Sequence, residues 1–147
     1  MAKGLDYFSK WAIEEVERTG LFSRAYPHET DATSGFKKAI EIDPNNASAY
    51  NNPSWLLATA DSSDFRNGKN ALEFALKACE LSNWKNSLHL DTLAAAYARA
   101  GDFENAVKWQ KKTLEMMEMM KSDEMERKRE AEKRLDIYRN HKPWPPN

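Results

Sequence analysis

The chain has 147 residues, 41% hydrophobic and 31% charged, with a formal net charge of −1. That balance suits one folded domain with a substantial core and argues against extensive disorder. Near-neutrality gives no general attraction to nucleic acid or an anionic membrane, and no apolar run approaches the roughly 20 residues of a membrane span.

Read for apolar periodicity, the chain predicts a succession of helices and no strand. Leu5, Phe8, Ala12 and Val16 form the first stripe, which Gly20 is placed to end. The stretch Leu21 to His28 reads as irregular, because Pro27 breaks any helix there. A second helix carries Ala32, Phe36, Ala39 and Ile40 and closes at Asp43-Pro44-Asn45-Asn46, where Asn46 caps a third helix over about 47–60. Asp61 to Gly68 is a polar loop by composition. A fourth helix presents Ala71, Phe74, Ala75, Ala78 and Leu81, and Trp84-Lys85-Asn86 turns into a fifth that Asn86 caps and that runs through Ala100. Gly101-Asp102 breaks it, and Phe103 opens a sixth helix with Ala106, Val107, Gln110 and Leu114. Beyond Met120 the chain is charge-dense, yet Ala131, Leu135 and Tyr138 recur at helical spacing, predicting a last, mostly solvated helix before the proline-rich end Lys142 to Pro146.

Self-comparison adds a repeat. Ala32, Ala71 and Ala106 occupy equivalent places in three helical pairs, at intervals of 39 and 35 residues. Leu90-x2-Leu93-Ala94-x2-Tyr97, then Gly101-Asp102-Phe103 and Ala106, resembles the tetratricopeptide pattern with its period of about 34 residues. Lys38 to Asn46 resembles that family's repeat ending, and Arg134 to Pro143 resembles the capping helix that shields the last repeat's apolar face. The chain is therefore similar to bacterial tetratricopeptide repeat proteins over roughly 32–120. The resemblance implies an all-α fold, a short right-handed α-solenoid of antiparallel helix pairs with a C-terminal capping helix. The organisation it implies is one helical repeat domain over 1–147. It would comprise a divergent helix and connection (1–30), repeat pairs (31–120), the cap (121–140) and a Pro/Trp tail (141–147). Two departures stand out. Pro53 occupies a position where the family carries leucine, so that helix is expected to start late or kink, and the loop around Phe65 is about five residues longer than the standard turn.

Signals of chemistry are weak. Cys79 is the only cysteine and lies in Leu76-Lys77-Ala78-Cys79-Glu80-Leu81, where a buried, inert packing role outweighs a nucleophilic one. His28, His89 and His141 are scattered, without metal-ligand spacing, and read as solvated surface residues. There is no phosphate loop, serine elbow or nucleotide fingerprint. Arg127, Lys128, Arg129, Lys133 and Arg134 interleave with Glu126, Glu130 and Glu132, and Glu130 and Arg134 form an i,i+4 pair. That reads as a salt-bridged face rather than a nucleic-acid stripe. No catalytic residue, metal or cofactor is expected.

The resemblance implies a protein-binding module, with a concave groove lined by the first helix of each pair. In that register Asn52, Trp55 and Thr59 face the groove from the middle pair, and Thr92, Ala95 and Arg99 from the third. Trp55 equally suits a buried helix contact. Leu88 and Thr92 stand where clamps for heat-shock chaperone tails carry Lys and Arg, so those tails are disfavoured as partners. Trp144, stiffened by Pro143, Pro145 and Pro146, is a candidate tail contact with a neighbour, or folds back onto Tyr138 or the methionines. The expected function is non-enzymatic: an assembly or scaffold subunit, or adaptor, of a larger complex, contacting protein and neither nucleic acid nor membrane interior. The alternatives are a freely diffusing adaptor gripping a short peptide and, more distantly, an enzyme completed by a partner's residues. With no apolar h-region in Met1 to Asp6, a soluble, intracellular protein without a signal peptide in this form is expected.

Overall fold

The computed structural model describes residues 20–26, 31–60, 67–119 and 125–146. The predicted first helix, the polar loop over 61–66 and Met120 lie outside them. Among the described residues the structure is all-helical, with α1 Leu21–Ala25, α2 Asp31–Ile42, α3 Ala47–Thr59, α4 Gly68–Leu81, α5 Ser87–Arg99, α6 Phe103–Met119 and α7 Met125–Arg139. From α2 to α7 each helix packs against its neighbour in the chain, and α3 also packs on α5.

The helix ends follow from local chemistry. Asn46, Asn67 and Asn86 cap α3, α4 and α5, their side-chain oxygens accepting from the backbone N–H groups of Ser48, Asn70 and Leu88 at 2.9–3.1 Å. At the other end, α4, α5 and α7 close with the same motif. The residue after the cap takes a left-handed φ, at Asn83 (54°), Gly101 (88°) and His141 (56°), and donates three residues back. The next N–H reaches five residues back, from Trp84 to Cys79, Asp102 to Tyr97 and Lys142 to Ile137.

Two expectations need correction. Leu21 to Ala25 form a helical turn, because Leu21 and Ala25 are buried and Arg24 reaches Glu73 of α4 at 3.3 Å. Pro53 does not delay α3, which starts at Ala47 under the Asn46 cap and runs through the proline. Packing there offsets the missing N–H. The Tyr26 hydroxyl donates to the Pro53 carbonyl at 2.6 Å, and the neighbouring Ser54 hydroxyl donates to Ala71 of α4, also at 2.6 Å.

The core holds Tyr50, Leu57, Phe74, Leu90, Leu93 and Tyr138, all essentially inaccessible. Between them run small residues, Ala71, Ala75, Ala78, Ala94, Ala95, Ala96, Ala98 and Ala106, that let the helix axes approach. Ala71 and Ala106 are both fully buried, while the side chain of Ala32 lies outside the described residues. The closest approach is at Gly68, where a Cβ would lie 2.4 Å from the Ala100 amide nitrogen. α4 begins directly against the end of α5, and only glycine fits.

Candidate functional site

Helical spacing gathers four stripes around one open groove of about 760 Å³. α3 contributes Asn51, Asn52, Trp55, Leu56 and Thr59; α5 contributes Leu88, Asp91 and Thr92; α2 adds Phe36. The remaining wall comes from α7, through Glu126, Arg127, Glu130 and Arg134. The lining is more apolar than its residue names suggest. The Thr59 hydroxyl donates to the Trp55 carbonyl at 2.7 Å, and the Thr92 hydroxyl to the Leu88 carbonyl at 3.1 Å. Both threonines thereby satisfy their hydroxyls within their own helices. Leu88 is half exposed at the rim, and Asn52 is exposed. Asn51 Oδ1 is buried beside the groove without a hydrogen-bond partner among the described residues.

Behind the groove lies a buried polar network. Arg134 Nη2 donates to Asp91 Oδ2 at 2.7 Å and Arg134 Nε to Asp91 Oδ1 at 3.2 Å, a two-point fork with both side chains only about a tenth exposed. Gln110 Nε2 adds bonds of 2.9 Å to Asp91 Oδ1 and to the Ala131 carbonyl. The guanidinium also lies 5.6 Å from the Trp55 ring centroid and 5.9 Å from that of Trp144. One arginine thus ties the groove's central aromatic to α5 and the C-terminal tail.

Four of the six residues expected in the groove line it: Asn52, Trp55, Thr59 and Thr92. Trp55 is half-buried, combining a packing contact under Arg134 with a wall position. Ala95 does not line it. The residue is fully buried, because a small side chain at that position faces the packed helices rather than the opening. Arg99 is likewise drawn inward, its Nε donating to the Ala58 carbonyl at 2.7 Å and its Nη2 to the Trp144 carbonyl at 3.1 Å. It joins α3 and α5 to the tail. Trp144 itself is half-buried on its own chain, with Lys133 Nζ 5.6 Å and the Arg134 guanidinium 5.9 Å from the ring centroid.

The expected solvated character of α7 and of the histidines also needs revision. Arg134 belongs to the buried network, its contact with Glu130 being a loose 3.9 Å. His89 is buried, with Nδ1 2.9 Å from Ser82 Oγ, and burial lowers its pKa below the usual value. His141 does remain exposed, stacking on Phe103 at 5.4 Å, while His28 lies outside the described residues. Burial, with Glu80 adding to it, pushes the Cys79 thiol up to about 12, so it is protonated and inert at neutral pH. Among the described residues no three His, Cys, Asp or Glu side chains are grouped to hold a metal ion, and no helix is long and apolar enough to cross a membrane.

Two signals of this site lay in the sequence. Asp91 interrupts the apolar run Leu90 to Ala96, where a charge demands a partner, and Phe36 repeats the aromatic character of Trp55 one helix earlier. Against known proteins, the chain matches no family model, no curated protein and no solved structure.

Proposed function

We propose that the chain is a non-enzymatic protein-interaction module built as a short tetratricopeptide-like solenoid, serving as an assembly subunit or adaptor of a larger complex. The observation that carries the reading is the groove itself. Three helices give it apolar surface, Phe36, Trp55 and Leu56 with Leu88 at the rim, bordered by amide side chains and by the charged side chains of α7. That combination suits a segment of polypeptide, whose apolar side chains need burial and whose backbone needs hydrogen-bond partners. The repeat motif at Leu90 to Ala106 and the packing of α3 on α5 support the solenoid reading. Leu88 and Thr92 supply no cation to the groove, which keeps chaperone-tail carboxylates disfavoured.

The test uses tagged full-length chain expressed in its own cells, followed by size-exclusion chromatography and intact-mass analysis of what is retained. Trp55→Ala should weaken capture of the principal partner by roughly tenfold or more, the scale of an aromatic hot spot. Co-elution at fixed stoichiometry supports a persistent assembly subunit, whereas dissociation on the column supports a freely diffusing adaptor. Equal capture by wild type and Trp55→Ala would remove the groove from the account.

A further inference from the structure

The polar groups of the groove differ in what their neighbours leave unsatisfied. Its wall holds three carboxylates, Asp91, Glu126 and Glu130, and two guanidiniums, Arg127 and Arg134. Asp91 and Arg134 satisfy one another through their two-point fork, and both are about nine-tenths buried, so the pair presents no net charge to the opening. Arg127 is half-buried and already engaged. Glu126, by contrast, is exposed and forms no ion pair among the described residues. Glu130 is 45% exposed, and its one ion pair is the loose 3.9 Å contact with Arg134, whose charge Asp91 already holds. The two glutamates stand one turn apart on the same face of α7. Even with Arg127 counted in full, carboxylates outnumber cations around the opening.

Hydrogen-bonding capacity is skewed the same way. The Thr59 and Thr92 hydroxyls donate their protons to the Trp55 and Leu88 carbonyls. Asn51 Oδ1 is buried at the groove without a donor among the described residues. One orphaned acceptor and two under-used carboxylates thus call for N–H groups, beside the amides of Asn51 and Asn52, which donate as readily as they accept. We infer that the groove takes a basic amphipathic segment of a partner protein. Its apolar side chains cover Phe36, Trp55 and Leu56, and its lysine or arginine side chains reach Glu126 and Glu130. The inference rests on the groove being the partner site and adds the sign of charge that the site selects. An acidic segment of the same apolar character, or a phosphate backbone, would set its anions against both glutamates. A small polyamine would neutralise the glutamates but leave the apolar surface uncovered.

The experiment measures fluorescence anisotropy of three labelled sixteen-residue peptides with the full-length protein at low salt. The first carries Leu and Phe on one helical face and Lys on the other, the second has Glu for every Lys, and the third has Ser for every Leu and Phe. The basic amphipathic peptide should bind, weaken as salt rises, and lose roughly tenfold or more in affinity in Glu126→Lys/Glu130→Lys. Glu126→Gln/Glu130→Gln places no new cation beside Arg134 and should lose less in the same direction, with melting temperatures of both variants as the folding control. Reversal at two exposed glutamates outside the groove, Glu104→Lys/Glu132→Lys, should leave binding unchanged. The inference is overturned by absent binding of the basic peptide, by equal or tighter binding of the acidic or serine peptide, or by equal losses in the groove and control pairs. Capture of the cellular partner distinguishes the two readings. Dependence on Trp55 with indifference to Glu126→Lys/Glu130→Lys overturns the charge preference and leaves the groove in place, whereas indifference to both variants removes the groove and this inference with it.

Discussion

Replacing Arg134 with methionine tests the network behind the groove. Methionine keeps an unbranched apolar stem but removes both donors to Asp91, the 2.7 Å and 3.2 Å bonds. Asp91 would stay in place with Gln110 alone at 2.9 Å. A carboxylate about nine-tenths buried and stripped of its cation costs roughly 3–5 kcal/mol. For a chain of this size each kcal/mol moves the melting temperature by about 3 °C, so Arg134→Met should melt on the order of 10 °C lower. The double variant Asp91→Leu/Arg134→Met removes both charges. Its stability should return to within about 2 kcal/mol of wild type, because an apolar pair avoids the desolvation that the ions must overcome. Thermal melts of the wild type, both single variants and the double variant give the coupling directly. Equal losses in the double variant and in Arg134→Met would refute the buried pair, as would a single-variant loss no larger than that of a surface change such as Glu132→Ala.

Three further outcomes follow. Gly68→Ala should destabilise by the upper part of roughly 1–3 kcal/mol, because its Cβ meets the Ala100 backbone at 2.4 Å; an unchanged denaturant midpoint would contradict that contact. The lowered pKa of buried His89 means that the unfolded chain binds the proton more readily, so stability present above the ordinary value near 6.5 is lost as pH falls through it towards the folded value. His89→Gln should flatten this slope between about pH 7 and 5, and an identical slope in the variant would assign it elsewhere. Deleting residues 141–147 removes the Trp144 carbonyl from Arg99 and its ring from Lys133 and Arg134, and should cost roughly 2–3 kcal/mol; an unchanged melt would show that the tail does not staple the fold.

What could be read in advance was what local chemistry dictates. Asn46 and Asn86 announced helix starts because their side chains satisfy orphan N–H groups at once, and Gly101 announced a turn because its φ of 88° suits little else. Ala94 and Ala106 were legible as close contacts because small residues at repeat spacing have few other uses. The short helix at Leu21 was not, since Pro27 dominates the local signal while tertiary burial of Leu21 and Ala25 decides the outcome. At the groove, Thr92 and Ala95 share a face of α5 and are both buried, yet only Thr92 borders the opening, a distinction that helical spacing does not make. Arg134 was hidden for a different reason. In a helix dense with Lys, Arg and Glu, no local feature distinguishes the cation that Asp91, Trp55 and Trp144 surround.

The most direct test of the groove as the partner site is site-specific photo-crosslinking in the protein's own cells. A photoreactive residue is placed singly at Asn52, Leu88 or Glu130 in the groove, and at Lys38 or Asp136 on exposed helix faces as controls. The account predicts that the three groove positions label one protein through a common segment, and that Trp55→Ala abolishes the product while the control positions give none. Equal labelling from control and groove positions, or no product from the groove, would contradict it.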